Sequence, residues 1–251
     1  MIDFDERLIE LNTKEARKSH IDTINIGLGY TAVILNDGRC GLCYTYLDSK
    51  EECTVYKGDI YEGRCCYDLL ITLKGCTNTV TRSVIIAMIN ALNVYNIDTF
   101  PDDKGTLFED LKLKSGDTLG MIGYFMPVVK EFEKKGVSVT AYDIGKHVGN
   151  EKDFYEFVNN ESDALIITAT SFINNTFKDI TEKIEGYTKP TAILGPSTIV
   201  QKKLYTDTPV SIMGGTLPLE NDEILKAIRN GKGTHELHKH SRKVYKKILK
   251  V

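Results

Sequence analysis

The stretch GDTLGMIGYFMPVVKEFEKKG, residues 116–136, decides the fold. TLGMIG is a short apolar run of strand type, GYF is a tight turn, and the residues around Pro127 begin an amphipathic helical pattern. Strand, turn and helix in that order are the building unit of a parallel α/β sheet. The glycines, however, are not those of a dinucleotide fold. G-x-G-x-x-G lets backbone press against a pyrophosphate lying on the helix N-terminus, whereas Gly120 and Gly123 are followed by Tyr124, Phe125, Met126 and Pro127. Pro127 suits the first helical turn but removes an N–H that a phosphate would use. The expectation is a turn that takes a flat heterocycle by ring stacking on Tyr124 or Phe125. Asn174, with both a donor and an acceptor, would read the ring edge, and Thr170 and Ser197 would add polar contacts.

Downstream, the same grammar repeats. VSVTAYD, ALIITAT, PTAILG and PVSIMGG alternate with helical stretches, and their β-branched runs lack polar alternation. Such strands are buried on both faces, so residues 98–251 are expected to form a parallel sheet of about five strands with right-handed crossovers, a Rossmann-like domain.

Upstream, residues 1–97 read differently. A first helix with Leu8, Ile9, Leu11 and Ala16 on one face leads into DTINIGL, YTAVIL and GLCYTY, with a hairpin signal at Asn36-Asp37-Gly38. Two helices follow, CYDLLITLKG and VTRSVIIAMINALNVYN, the second apolar enough to be buried. This is an α+β unit. Between the halves, NIDTFPDDKG at 96–105 has the composition of a linker.

Ligands of open α/β sheets bind beyond the carboxyl ends of the strands. Those ends carry Gly123-Tyr124-Phe125, Asp143, Thr170-Ser171-Phe172-Ile173-Asn174, Gly195-Pro196-Ser197 and Gly214-Gly215-Thr216. Each alone reads as a cap or a turn; together they place hydroxyls, amides and glycines on one rim. Asp143 also lies about where an acid meets a ribose hydroxyl in nucleotide folds. No G-x-S-x-G, H-E-x-x-H or G-x-x-x-x-G-K-[ST] motif is present. Acid–base chemistry would fall to isolated groups such as Asp143, Tyr124 or Tyr30.

Composition narrows the function class. The 251 residues are 41% hydrophobic and 27% charged with net charge -3, which excludes a chain-wide nucleic-acid surface. No apolar run reaches the roughly 18 to 20 residues of a membrane span, and the acidic, amphipathic N-terminus is unlike a signal peptide. A cytoplasmic protein is expected, with its six cysteines as free thiols. In RCGLCYTY, Cys40 and Cys43 would face opposite sides of a strand and could not share an ion. Near the C-terminus, GKGTHELHKHSRKVYKKILKV reads as an amphipathic basic helix capped by Thr234. His235 and His238 would share a face and His240 would turn away, so no metal site is expected there.

IGLGYTAVIL (26–35), IAMINALN (86–93), GMIGYFMPVV (120–129), ESDALIITATSFINNT (161–176), AILGPSTIV (192–200) and IRNGKGTHEL (228–237) together resemble a family known as putative heavy-metal chelation proteins. The likeness runs over nearly the whole chain. It implies an enolase N-terminal-like domain followed by a Rossmann-like domain, with a site between them for pterins, flavins or siderophore-type chelators. It also implies a partial likeness to methyltransferase-type Rossmann domains. Carried over by position, Gly29, Tyr30 and Thr31 would reach the site from the first domain. Gly123, Tyr124, Phe125, Pro127, Thr170, Ser171, Asn174, Gly195, Pro196 and Ser197 would form the opposite wall. The chain departs from the family pattern at Ala169, where relatives tend to have glycine, and at Ser171-Phe172, where they tend to have Thr-Leu.

The sequence thus points to an enzyme of condensation or hydrolysis type, or a binder, that takes a small planar molecule or metal-chelator-type ligand. The alternatives are a non-catalytic ligand or metal sensor and an S-adenosylmethionine-dependent methyltransferase. No cofactor is specified, and self-association into a homo-oligomer is compatible with the chain.

Overall fold

A computed structural model of the protein describes residues 3–47, 60–94 and 106–248. Cys53 and the linker-like stretch 96–105 lie outside the described residues. The chain opens with α1 (Phe4–Ala16), whose first N–H groups, those of Asp5 and Glu6, donate to the Asp3 carboxylate. An antiparallel meander follows, β1 (Ile21–Ile26), β2 (Tyr30–Leu35) and β3 (Cys40–Tyr44), in spatial order β1-β2-β3. The β2–β3 hairpin closes where the Asn36-Asp37-Gly38 signal falls. Helices α2 (Cys66–Leu70) and α3 (Thr79–Leu92) complete this half.

Of α3, every residue but Thr81 is buried. A helix apolar on all sides must be covered on all sides, and the covers are the three-stranded sheet and the second half of the chain. Gly41 on β3 makes the approach to the sheet close. A methyl group there would stand 2.1 Å from Ala87 O and 2.2 Å from Ala91 N, so only glycine admits α3 at this distance.

The second half runs α4 (Leu107–Asp110), β4 (Thr118–Ile122), α5 (Met126–Lys134), β5 (Ser138–Tyr142), α6 (Glu151–Asn160), β6 (Ala164–Thr168), α7 (Phe177–Lys183), β7 (Thr191–Leu194), β8 (Ile212–Pro218), α8 (Asn221–Arg229), α9 (Thr234–Leu237) and β9 (Ser241–Lys247). The sheet order is β5-β4-β6-β7-β8-β9. All five expected strands are present as β4–β8 and pair in parallel. The chain leaves β4 for β5 on one side and returns to β6 on the other, which puts the topological switch point, the crevice where such sheets bind ligands, between β4 and β6.

The C-terminal segment differs from expectation. Its helix ends at Leu237, a short 3-10 turn covers His238–His240, and Ser241–Lys247 pairs antiparallel with β8 as a sixth strand. Gly233, and not Thr234, occupies the N-cap position. The physical reason is the edge of β8, whose unpaired N–H and C=O groups β9 satisfies along seven residue pairs. Val244 and Lys246 then turn to the buried side in strand alternation.

The two halves are not held apart. α8 packs Ile224, Ala227 and Ile228 against Tyr30, Ala32, Cys40 and Leu42, so the meander lies between α3 and α8. This covers both faces of β2 and explains a run as apolar as YTAVIL in an antiparallel sheet. Cys40 packs on the α8 side while Cys43 joins the core on the α3 side.

Candidate functional site

A cavity of about 660 Å³ opens over the switch point. Its floor is the carboxyl ends of β4–β7 and its opposite wall is Tyr30, Tyr44, Tyr46 and Leu47 from the meander. The turn after β4 forms first. Gly123 holds φ +86°, and a methyl group there would meet Thr168 Cβ at 2.7 Å, so the turn requires glycine for both conformation and space. The helix that follows has Pro in its first turn and no side-chain cap from Phe125.

Asp143, at the end of β5, closes this turn. The Tyr124 N–H donates to Asp143 Oδ2 at 2.8 Å and the Lys146 N–H to Oδ1 at 3.0 Å. Lys146 Nζ donates to Tyr124 O at 2.6 Å and lies 3.7 Å from Asp143 Oδ2. Both carboxylate oxygens are thus engaged in joining two loops. The Tyr124 N–H, a donor that an anion at this turn would use, is thereby taken by a carboxylate that Lys146 neutralises.

At the end of β6 the hydroxyls of Thr168 and Thr170 are 2.9 Å apart, and Ser171 Oγ donates to Thr168 O at 2.7 Å. The Asn174 side chain, with its amide group oriented to satisfy its neighbours, donates to Thr170 O at 3.2 Å and Ser171 O at 3.3 Å. Beyond β7, Ser197 Oγ accepts the Tyr44 N–H at 2.9 Å and the Cys43 thiol at 3.4 Å, which fastens the Gly195-Pro196-Ser197 turn to β3. Asn90 of α3 supports the same junction through Leu42 O at 2.8 Å and Pro196 O at 3.5 Å.

Of the residues expected from sequence, Tyr30, Gly123, Tyr124, Phe125 and Asp143 line the cavity. So do Thr170, Asn174, Gly195, Pro196 and Ser197. Gly29, Thr31, Pro127 and Ser171 do not. Thr31 is buried behind the wall with its hydroxyl 2.9 Å from that of Thr45, Ser171 is wholly buried, and Gly29 O accepts the Thr45 N–H. Pro127 faces solvent on α5.

Several lining residues escaped the sequence reading. Tyr44 and Tyr46 alternate along GLCYTY, a spacing that puts them on one face and could have marked them. Tyr142 and Tyr155 bring the aromatic lining among the described residues to six tyrosines and one phenylalanine, and Tyr142 stacks on Phe154 at 5.7 Å. Lys183 pairs with Glu151 at 2.5 Å, and Asp179 faces the same end. Thr234, in the KGTHEL segment, places Oγ1 2.5 Å from the Tyr30 hydroxyl. Burial pushes the Tyr30 phenol up, and it pushes the Cys43 thiol up to about 12. At neutral pH the one is a donor or acceptor without charge and the other is not a thiolate.

Among the described residues, no group of three or more His, Cys, Asp or Glu side chains is placed to hold a metal ion. His240 Nδ1 lies 2.9 Å from Glu220 Oε2, and burial lowers the affinity of His238 for a proton. No described helix is long and apolar enough to cross a membrane.

Comparison with known proteins agrees with this architecture. No curated protein sequence matches the chain. Among solved structures, a protein with unknown function from Pyrococcus horikoshii superposes with TM-score 0.80 at 19% identity, over 98% of this chain and 100% of that one. A second protein with unknown function, from Desulfitobacterium hafniense, superposes with TM-score 0.73 at 16% identity, over 96% of this chain and 98% of that one. At these identities the likeness is one of fold. Two family models match the sequence, over residues 9–93 and 106–247, and both carry the description "putative heavy-metal chelation". The chain belongs to that family.

Proposed function

We propose that the protein binds a small planar organic molecule, of metal-chelator or pterin- and flavin-like shape, in the cavity over the β4–β6 crevice. The observation that carries this reading is the convergence of six tyrosines and a phenylalanine on one cavity at the switch point of the sheet. Ring faces and ring edges of that kind suit a flat heterocycle, and an aromatic pair adds about 0.5–1.5 kcal/mol beyond burial. In this reading Tyr30, Tyr124, Phe125 and Tyr142 stack, while Thr170 and Asn174 meet the ring edge. Gly29, Thr31, Ser171 and Ser197 support the walls, and Pro127 fixes the first turn of α5. A metal would enter as part of such a chelate, since the neutral Cys43 thiol and the engaged Asp143 carboxylate are poor ligands for a bare ion.

Residues 1–97 and 98–251 are taken as the two units whose facing surfaces make the site. Binding without turnover is the first reading; Cys43, in the core behind Ser197, is protonated and supplies no thiolate to the cavity. Condensation or hydrolysis is the second reading. The observation favouring it is the 2.5 Å contact between the Tyr30 and Thr234 hydroxyls, a hydrogen-bonded pair that could pass a proton to a bound molecule. Methyl transfer from S-adenosylmethionine would require adenosyl binding at the same turn.

A thermal-shift panel of pterins, flavins, adenosyl compounds and nicotinamide dinucleotides tests the proposal. Stabilisation by a pterin or flavin that is lost in Tyr124→Ala and Asn174→Ala supports it. Tight NAD binding, with both substitutions leaving every compound unaffected, overturns it.

A further inference from the structure

Among the described residues, the charges that line the cavity do not balance, and the excess is negative. Lys146 is matched by Asp143 at 3.7 Å and Lys183 by Glu151 at 2.5 Å. Asp179 remains. Exposed on the first turn of α7, it lines the cavity close enough to Tyr155 and Lys183 to act on both through space, and its carboxylate makes no hydrogen bond or ion pair with a described residue.

Three of the N–H groups at the strand ends are already engaged. Tyr124 N–H donates to Asp143, Thr170 N–H to Thr168 Oγ1 and Gly195 N–H to Gly214 O. Pro127 and Pro196 have none. The rings, by contrast, already receive cations: Lys183 Nζ lies 5.1 Å from the centre of the Tyr155 ring and Lys146 Nζ 5.8 Å from that of Tyr124. Tyrosine faces attract positive charge through the ring quadrupole, more strongly as water is excluded.

We infer that the cavity selects planar ligands that carry a positive charge, with the Asp179 carboxylate as the group that meets it. This rests on the planar-ligand reading above and adds the charge class of the ligand and the residue that sets it. Neutral rings gain only the stacking, and anionic rings meet an unmatched carboxylate.

The test uses two tricyclic probes of matched size, proflavine, a cation at pH 7.5, and anthracene-9-carboxylate, an anion, each titrated by fluorescence. Proflavine is expected to bind at least tenfold tighter, and Asp179→Asn to weaken it about tenfold, or about 1.4 kcal/mol. Asp222→Asn, on the outer helix α8, is expected to leave proflavine binding unchanged, and all variants to unfold at the temperature of the parent. Added salt should weaken proflavine binding and spare that of Asp179→Asn. Equal or tighter binding of the anion, no binding of proflavine, or a preference unaltered by Asp179→Asn overturns the inference. If both probes bind and both are weakened by Tyr142→Ala, the planar-ligand reading survives that failure; if Tyr142→Ala and Tyr124→Ala affect neither, that reading falls with it.

Discussion

The main-chain N–H of Tyr124 donates to Asp143 Oδ2 at 2.8 Å, and this bond joins the turn after β4 to the loop after β5. It occupies with a carboxylate a main-chain donor of the turn after β4. Asp143→Ala is expected to release both Tyr124 and Lys146 N–H groups and to destabilise the protein by about 1–3 kcal/mol, the cost of unpairing a hydrogen-bonded charged group. Chemical unfolding should show this as a lower urea midpoint. An unchanged midpoint would mean the clamp contributes nothing.

Gly123→Ala should be more local and more damaging to the site. Its φ of +86° disfavours any side chain, at about 1–3 kcal/mol, and the new methyl would press on Thr168 at 2.7 Å. A lower melting temperature together with lost probe binding is expected. Parent-like binding would show that the β4–β6 crevice is not the site.

Arg82 joins three segments. It is 1% exposed, pairs with both oxygens of Asp5 at 2.7 and 2.8 Å, and donates to Phe172 O at 3.1 and 2.8 Å, so α1, α3 and the turn after β6 meet at one guanidinium. Arg82→Met leaves the Asp5 carboxylate buried without its partner and should cost about 3–5 kcal/mol. Removing both charges, Asp5→Leu with Arg82→Met, should recover much of the loss. A double variant no more stable than the single one would contradict the pairing argument.

Three thiols give the protein a sign of pH dependence. Burial pushes Cys40, Cys43 and Cys66 up to about 12, above the value of a free thiol. The folded chain therefore keeps protons that the unfolded chain releases near pH 9, so their contribution is complete below that pH and declines as pH rises toward 12. The urea midpoint is expected to fall between pH 8.5 and pH 11, and iodoacetamide to leave these thiols unmodified in the folded protein at about pH 8. A midpoint that rises over that interval, or prompt alkylation of Cys43, would contradict this.

Much of the fold could be read from the chain because its signals are local. TLGMIG, ALIITAT and PTAILG are apolar on both faces and became inner strands, and the Asn36-Asp37-Gly38 turn closed its hairpin. SRKVYKK was not readable in this way. Its apolar residues fit a helix as well as a strand, and the choice is made by the free edge of β8 some thirty positions earlier in the chain. Arg82 likewise reads as a surface charge on an apolar helix until Asp5 and Phe172 close around it. At the site, the rim glycines and hydroxyls were legible at the strand ends. Tyr155 and Asp179 were not, because helices bring them to the cavity from sequence positions that carry no motif, and Tyr142, at the end of β5, reads as one more strand residue.

The most direct test of the binding proposal is a crystal structure with the panel compound that gives the largest thermal shift. Planar density against Tyr124 and Tyr142, over the crevice between Gly123 and Thr168, is the expected result. Density elsewhere, such as in the surface groove beside Leu28 and Ile228, with the tyrosine-lined cavity filled only by solvent, would contradict it.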